Sequence, residues 1–228
     1  MPRFERLATI GPHAVDLLDG AGADLVIAFA SIGHDPSRPP SPEFVATATG
    51  RGTAAHPRRA LFVTDASRSW ATAPGFAEAL RAALARLAPP GRILTIGLSM
   101  GAVAALAAAE ILPVTAVLAL GPQADPRLPG ETRWRDWTAA LPPCPAPPRP
   151  TCWTILAHGL ADDAAQAAAF PHRAGQDHLH YPAQSHGSLV PHLKARGALP
   201  GLVEAALAGD RRRLLRIAAS TGATRRRT

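Results

Sequence analysis

Residues Arg92 to Glu110, RILTIGLSMGAVAALAAAE, hold this chain to a narrow set of folds. Ile93, Leu94 and Ile96 make a short apolar run directly after the breaker Pro89-Pro90-Gly91, and Ala102 to Ile111 is strongly helix-favouring and stops before Pro113. Between them stands a serine, Ser99, two residues from a glycine on either side, Gly97 and Gly101. A strand that turns into a helix within three residues needs small neighbours, because the backbone passes too close to itself for side chains. The stretch therefore predicts a buried strand, a sharp turn that lifts the serine hydroxyl clear, and a packed helix.

The remaining chain repeats that alternation. Phe4 to Ile10 reads as a short strand, and Gly20 to Gly22 as a turn. Leu25 to Ala30 is a continuous apolar run of the kind found in strands buried on both faces. Ala60 to Thr64 is another, and Pro74 to Leu87 places Phe76, Leu80, Leu84 and Leu87 on one helical stripe. Further strands are expected at Val114 to Leu120, Cys152 to Ala157 and His178 to Tyr181, and helices at Asp162 to Phe170, Ser188 to Arg196 and Leu199 to Ala208. Strands separated by helices predict an α/β fold, a mostly parallel sheet with helices on both faces. Pro126 to Pro150 breaks the pattern with Trp134, Trp137 and the run PPCPAPPRP, a candidate cap insertion. The expected organisation is one domain over residues 1–208 with a basic C-terminal helix or tail over 209–228.

Composition narrows the functional classes. With 47% hydrophobic and 18% charged residues the chain is globular, and no apolar run reaches the roughly 18 residues of a membrane span. The N-terminus has acids among its apolar residues and no secretory pattern, so a cytoplasmic location is the default expectation. A formal charge of +7 invites a nucleic-acid partner, yet Arg211 to Arg213 and Arg225 to Arg227 concentrate six charges near the C-terminus without a base-reading element. A solvated tail is the favoured expectation over nucleic acid. Cys144 and Cys152 flank the proline run and are expected as thiols. His178 and His180 lie two apart on one strand face, as zinc ligands can, but no third ligand is evident and no metal or other cofactor is expected.

Chemistry in such sheets collects beyond the carboxyl ends of the strands. Ser31, Arg68, Ser99, Asp162 and His186 each follow a different strand candidate. A serine is a weak nucleophile until a base takes its proton, and the base needs a third group to hold its tautomer. Ser99, Asp162 in HGLADD and His186 in AQSHGS supply those three types in the order Ser, acid, His. Asp163 and Asp125 compete with Asp162, and His178, His180 and His192 with His186.

In its G-x-S-x-G turn and in that order, the chain resembles the α/β-hydrolase superfamily from Leu25 to Ala208. The resemblance implies Ser99 as nucleophile, His186 as general base and acid, and Asp162 as orienting carboxylate. It also implies an oxyanion hole from the amide of Met100 and one of Ala30 or Ser31, although no His-Gly-Gly-Gly follows LVIAFA. Arg68 could bind a substrate anion or make a structural ion pair, and Trp70 could line a substrate pocket or plug the core. The expected activity is hydrolysis of a carboxylic ester or thioester, with a small-molecule acyl substrate as the partner. An acyltransferase with the same triad and an inactive hydrolase-fold scaffold are the alternatives.

Overall fold

The computed structural model describes residues 4–33, 35, 37–51, 57–139, 141–142 and 146–226. The chain opens on a hairpin, β1 (Glu5–Ile10) and β2 (His13–Leu18), turned at Gly11, whose φ of 56° favours glycine. Only the first strand is legible in the sequence. Asp16 interrupts the apolar run of β2, and it is tolerated because Arg6 reaches across the hairpin to its carboxylate. Then follow β3 (Gly22–Phe29), α1 (Val45–Thr49), β4 (Arg58–Asp65), α2 (Phe76–Leu84), β5 (Ile93–Leu98), α3 (Met100–Ile111) and β6 (Ala116–Leu120). The second half holds α4 (Arg135–Thr138), β7 (Trp153–Gly159), α5 (Leu160–Ala169), β8 (Gln176–Tyr181), α6 (His186–Ala195), α7 (Ala198–Ala208), α8 (Arg211–Ser220) and the two-residue β9 (Thr224–Arg225).

The strands form one sheet in the order β1-β2-β4-β3-β5-β6-β7-β8-β9. β4 to β8 in that order are parallel, and the antiparallel pairs β1-β2, β2-β4 and β8-β9 close the two edges. Every parallel neighbour forces a crossover, which supplies the helices, and these cover both faces. α2 and α3 pack with Leu25, Ile27, Phe29, Leu61 and Val117 on one side. On the other side α6, α7 and α8 pack with Val26, Phe62, Leu94, Ile96 and Leu118. Alternate residues of β3 thus feed opposite cores, and its apolar run is continuous for that reason.

The C-terminal basic segment is part of this packing. α8 is capped by Asp210 and buries Leu214 and Ala218, while Arg211 and Arg225 both pair with the buried carboxylate of Asp177 on β8. Cys152 is a half-buried free thiol, whereas Cys144 lies outside the described residues. No helix among the described residues is long and apolar enough to cross a membrane. No group of three or more His, Cys, Asp or Glu side chains able to hold a metal ion occurs among them either.

Candidate active site

Ser99 sits between β5 and α3 with φ 58° and ψ −126°, a conformation a non-glycine residue adopts only when its surroundings hold it there. The surroundings are specific. The Ser99 N–H donates to Leu120 O at 2.9 Å, a Cβ on Gly97 would run into the Gly101 carbonyl, and a Cβ on Gly101 would run into that of Phe29. Both glycines of the motif are therefore steric requirements. α3 begins at Met100, two residues earlier than the sequence predicts, so the Met100 N–H belongs to the first helical turn and lies ahead of the helix's own hydrogen-bond ladder.

The histidine and acid arrive from α6 and α5. His186 is the first residue of α6, fixed by a capping box between Ser185 and Ser188. Its Nδ1 lies 2.7 Å from Oδ2 of Asp163, a carboxylate only 1% exposed. The sequence favours Asp162 for this position, and here the geometry differs. α5 starts at Leu160, so both aspartates stand on its first turn, a helical step apart. That step aims Asp163 inward at the ring and leaves Asp162 at the rim, where its Oδ1 accepts the backbone N–H of His186 at 2.6 Å. Asp125, the other acid considered, caps its own loop by accepting the Arg127 N–H. His178 and His180 belong to a buried cluster with His158, and His192 bonds Thr221 O.

The segment between β6 and β7 reaches the same point. Arg133 lies 2.9 Å from Oδ1 of Asp163, 3.3 Å from Asp162 and 2.6 Å from Glu131, and its guanidinium stacks over Trp134. Burial works to lower the Arg133 pKa, but the bonds to Glu131 and Asp163 outweigh it and raise the value above normal. Trp134 in turn meets the His186 ring edge-on at 5.3 Å. Gly121 supplies the opposite wall, since a Cβ there would stand 3.0 Å from His186 Nδ1.

Ser99 Oγ accepts a hydrogen bond from Gln123 Nε2 at 2.8 Å, and among the described residues no hydrogen bond joins it to His186. Gln123 is buried, and its Oε1 accepts the indole N–H of Trp70 at 3.0 Å. Trp70 is carried by a loop with positive φ at Arg68, Trp70 and Ala71, clamped by the Asp65 carboxylate, which accepts from the backbone and hydroxyls of Ser67 and Ser69. Beside Trp70 and Gln123 lies a cavity of about 700 Å³ whose walls include Val103, Ala107, Ala124 and Pro147.

Three expected contributors are otherwise engaged. The Ala30 N–H donates to Val63 O within the sheet, and the Ser31 N–H and hydroxyl both donate to Glu43. Neither amide is spare for an oxyanion. Arg68 donates to the carbonyls of Ile32 and Arg38 and lies 4.9 Å from the Trp137 ring centre, so it braces the loop after β3 and does not stand free in the crevice. Trp134, which the sequence offers as a pocket-lining or core aromatic, stands against the His186 ring, while Gln123 and Arg133 have no role assigned from the sequence. Gln123 was within reach of it, because it follows β6 as Ser99 follows β5.

No protein-family model matches the chain, and no curated protein matches it. Solved structures do. Est1E from Butyrivibrio proteoclasticus superposes with a TM-score of 0.54 at 13% identity, over 90% of this chain and 99% of that one. XC6422 from Xanthomonas campestris, described as an α/β serine hydrolase without lid, gives 0.53 at 17% identity over 86% and 91%. The capsule O-acetyltransferase of Neisseria meningitidis serogroup A gives 0.52 at 10% identity over 83% and 90%. The chain has the α/β-hydrolase fold. In this α/β-hydrolase fold Ser99, His186 and Asp163 stand beyond the carboxyl ends of β5, β8 and β7, on one edge of the parallel sheet.

Proposed function

We propose that the protein is a serine hydrolase that cleaves a carboxylic ester or thioester through an acyl-enzyme on Ser99. The observation that carries this is the strained positive-φ backbone at Ser99, at the same edge of the sheet as a His186 ring paired with the buried Asp163. Strain of that kind costs on the order of 1–3 kcal/mol and persists where the surrounding structure imposes it, most often at functional sites.

In the proposed cycle the Ser99 proton passes to His186 Nε2 while Oγ bonds to the substrate carbonyl carbon. The oxyanion takes the Met100 N–H. As the intermediate collapses, the C–O or C–S bond to the leaving group breaks and His186 returns the proton to the departing oxygen or sulfur. Water then repeats the sequence, losing a proton to His186 and releasing the acid and free Ser99. Asp163 in place of Asp162 holds the Nδ1 proton and stabilises the imidazolium. His186 and Ser99 must close up on substrate binding, as hydrogen bonds at resting sites commonly do. The acyl group occupies the cavity beside Trp70 and Val103.

Transfer to an acceptor alcohol uses the same steps with the alcohol in place of water, and the 4% exposure of Ser99 favours keeping that outcome in the test. The experiment is labelling with a fluorophosphonate, followed by product analysis of a p-nitrophenyl ester with and without added alcohols. Native protein is expected to label and Ser99→Ala not to. An unlabelled native protein, or equal labelling of Ser99→Ala, removes the reading in favour of an inactive scaffold.

A further inference from the structure

The hydrogen bond on Ser99 Oγ comes from a side chain the reaction above does not use. Gln123 Nε2 donates to Oγ at 2.8 Å inside a buried pocket, and its amide is fixed in one sense because Oε1 accepts from Trp70 Nε1 at 3.0 Å. An indole N–H only donates, so the oxygen of the amide must face Trp70 and the NH2 must face the serine. The two amides expected on the far side of the crevice, Ala30 and Ser31, are occupied by Val63 O and Glu43. That leaves the Gln123 amide as a polar donor aimed directly at the reacting atom.

We propose that Gln123, oriented by Trp70, is a catalytic hydrogen-bond donor to Oγ of Ser99 in both attack and release. The proposal rests on the serine-hydrolase reading. A serine oxygen has one proton to give and two lone pairs to receive. With Gln123 on one lone pair, the hydroxyl proton is directed elsewhere, free for His186. As that proton leaves, Oγ gains negative charge and the bond from Gln123 becomes charge-assisted, stronger in the transition state than at rest. In deacylation the same donor stabilises Oγ as its bond to the acyl carbon breaks. Trp70 is a positioning residue, since it acts through the amide.

The test is the second-order rate of fluorophosphonate labelling on full-length protein, compared among native chain, Gln123→Met, Trp70→Phe and the double variant. In labelling, the Oγ–P bond forms, the P–F bond breaks, fluoride departs and the serine proton passes to His186. Methionine keeps the length of the side chain and removes the donor, and phenylalanine keeps an aromatic ring and removes the N–H. Loss of one preorganised donor in other enzymes lowers rates by about 10²–10³-fold. Gln123→Met is expected to label about 100-fold more slowly with its melting temperature close to native, and Trp70→Phe about 3–10-fold more slowly. The double variant is expected to be no slower than Gln123→Met, because the indole N–H has nothing left to orient.

Labelling of Gln123→Met at the native rate or faster overturns the proposal and leaves the serine-hydrolase reading standing. So does a double variant whose slowing is the product of the two single effects. If Gln123→Met does not fold, Trp70→Phe decides alone, and a native rate there overturns the proposal. A native chain that does not label at Ser99 removes both the proposal and the reading beneath it.

Discussion

At the scale of single residues, one helical step separates two aspartates with different surroundings. Asp163 is buried against the His186 ring, while Asp162 meets His186 through its backbone N–H and is 41% exposed at the side chain. Asp163→Asn is expected to lower kcat/KM on a p-nitrophenyl ester by about 10³–10⁴-fold, because an amide cannot stabilise the imidazolium and permits the wrong tautomer. Asp162→Asn is expected to stay within a few-fold of native. Steady-state kinetics of the two variants decide it, and a larger loss for Asp162→Asn would sink the assignment. The sequence could not separate them. Both follow the same strand, and the choice depends on where α5 begins, which Gly159 sets by packing so closely on Ser185 that no Cβ fits.

At the scale of elements, the segment around α4 and the C-terminal helix are each tied into the fold by an arginine on a buried carboxylate. Arg133, just before α4, joins that segment to Asp163, and Arg211 joins α8 to Asp177. Burial by itself would raise the Asp177 pKa, but the bonds from Arg211, Trp153 and Arg225 outweigh it and hold the carboxyl below its ordinary range. A chain ending at Gly209 loses both arginine partners of Asp177 and the packing of the buried Leu214 and Ala218, of which the leucine alone contributes roughly 1.5–3 kcal/mol. That is a large share of the roughly 5–15 kcal/mol total stability of a domain. The truncated chain is expected to lose most of its cooperative urea transition, and a native urea midpoint would show that α8 is dispensable. In sequence α8 looks like a charge run, since three arginines precede its first leucine. Its apolar stripe becomes meaningful only once α7 offers a surface to meet it.

At the scale of the molecule, a pair of buried histidines joins the site to the sheet. His158 Nε2 donates to Pro122 O at 2.9 Å, beside Gln123, and its Nδ1 accepts from His178 at 2.8 Å. Burial pushes the His158 pKa down to about 4 and that of His178 to about 2, with the His158 neighbour adding to the second. Unfolded histidines titrate near 6.5, so from that pH down to about 4 the unfolded chain binds more protons and stability falls with pH. The loss from His158 is on the order of 3 kcal/mol at pH 4. Urea midpoints measured from pH 7 to 4 should fall steadily, and a flat profile would contradict neutral burial of the pair. What the sequence alone determined is the local grammar: alternating apolar strands and helices, the two glycines that free Ser99, and a histidine past the last parallel strand. These follow from side-chain periodicity and backbone sterics acting within a few residues. Only the tertiary structure decided which aspartate meets His186, that Ala30, Ser31 and Arg68 are engaged elsewhere, and that Gln123, held by Trp70, faces Ser99. Those contacts join residues dozens of positions apart across several strands, where distance along the chain carries no information about distance in space.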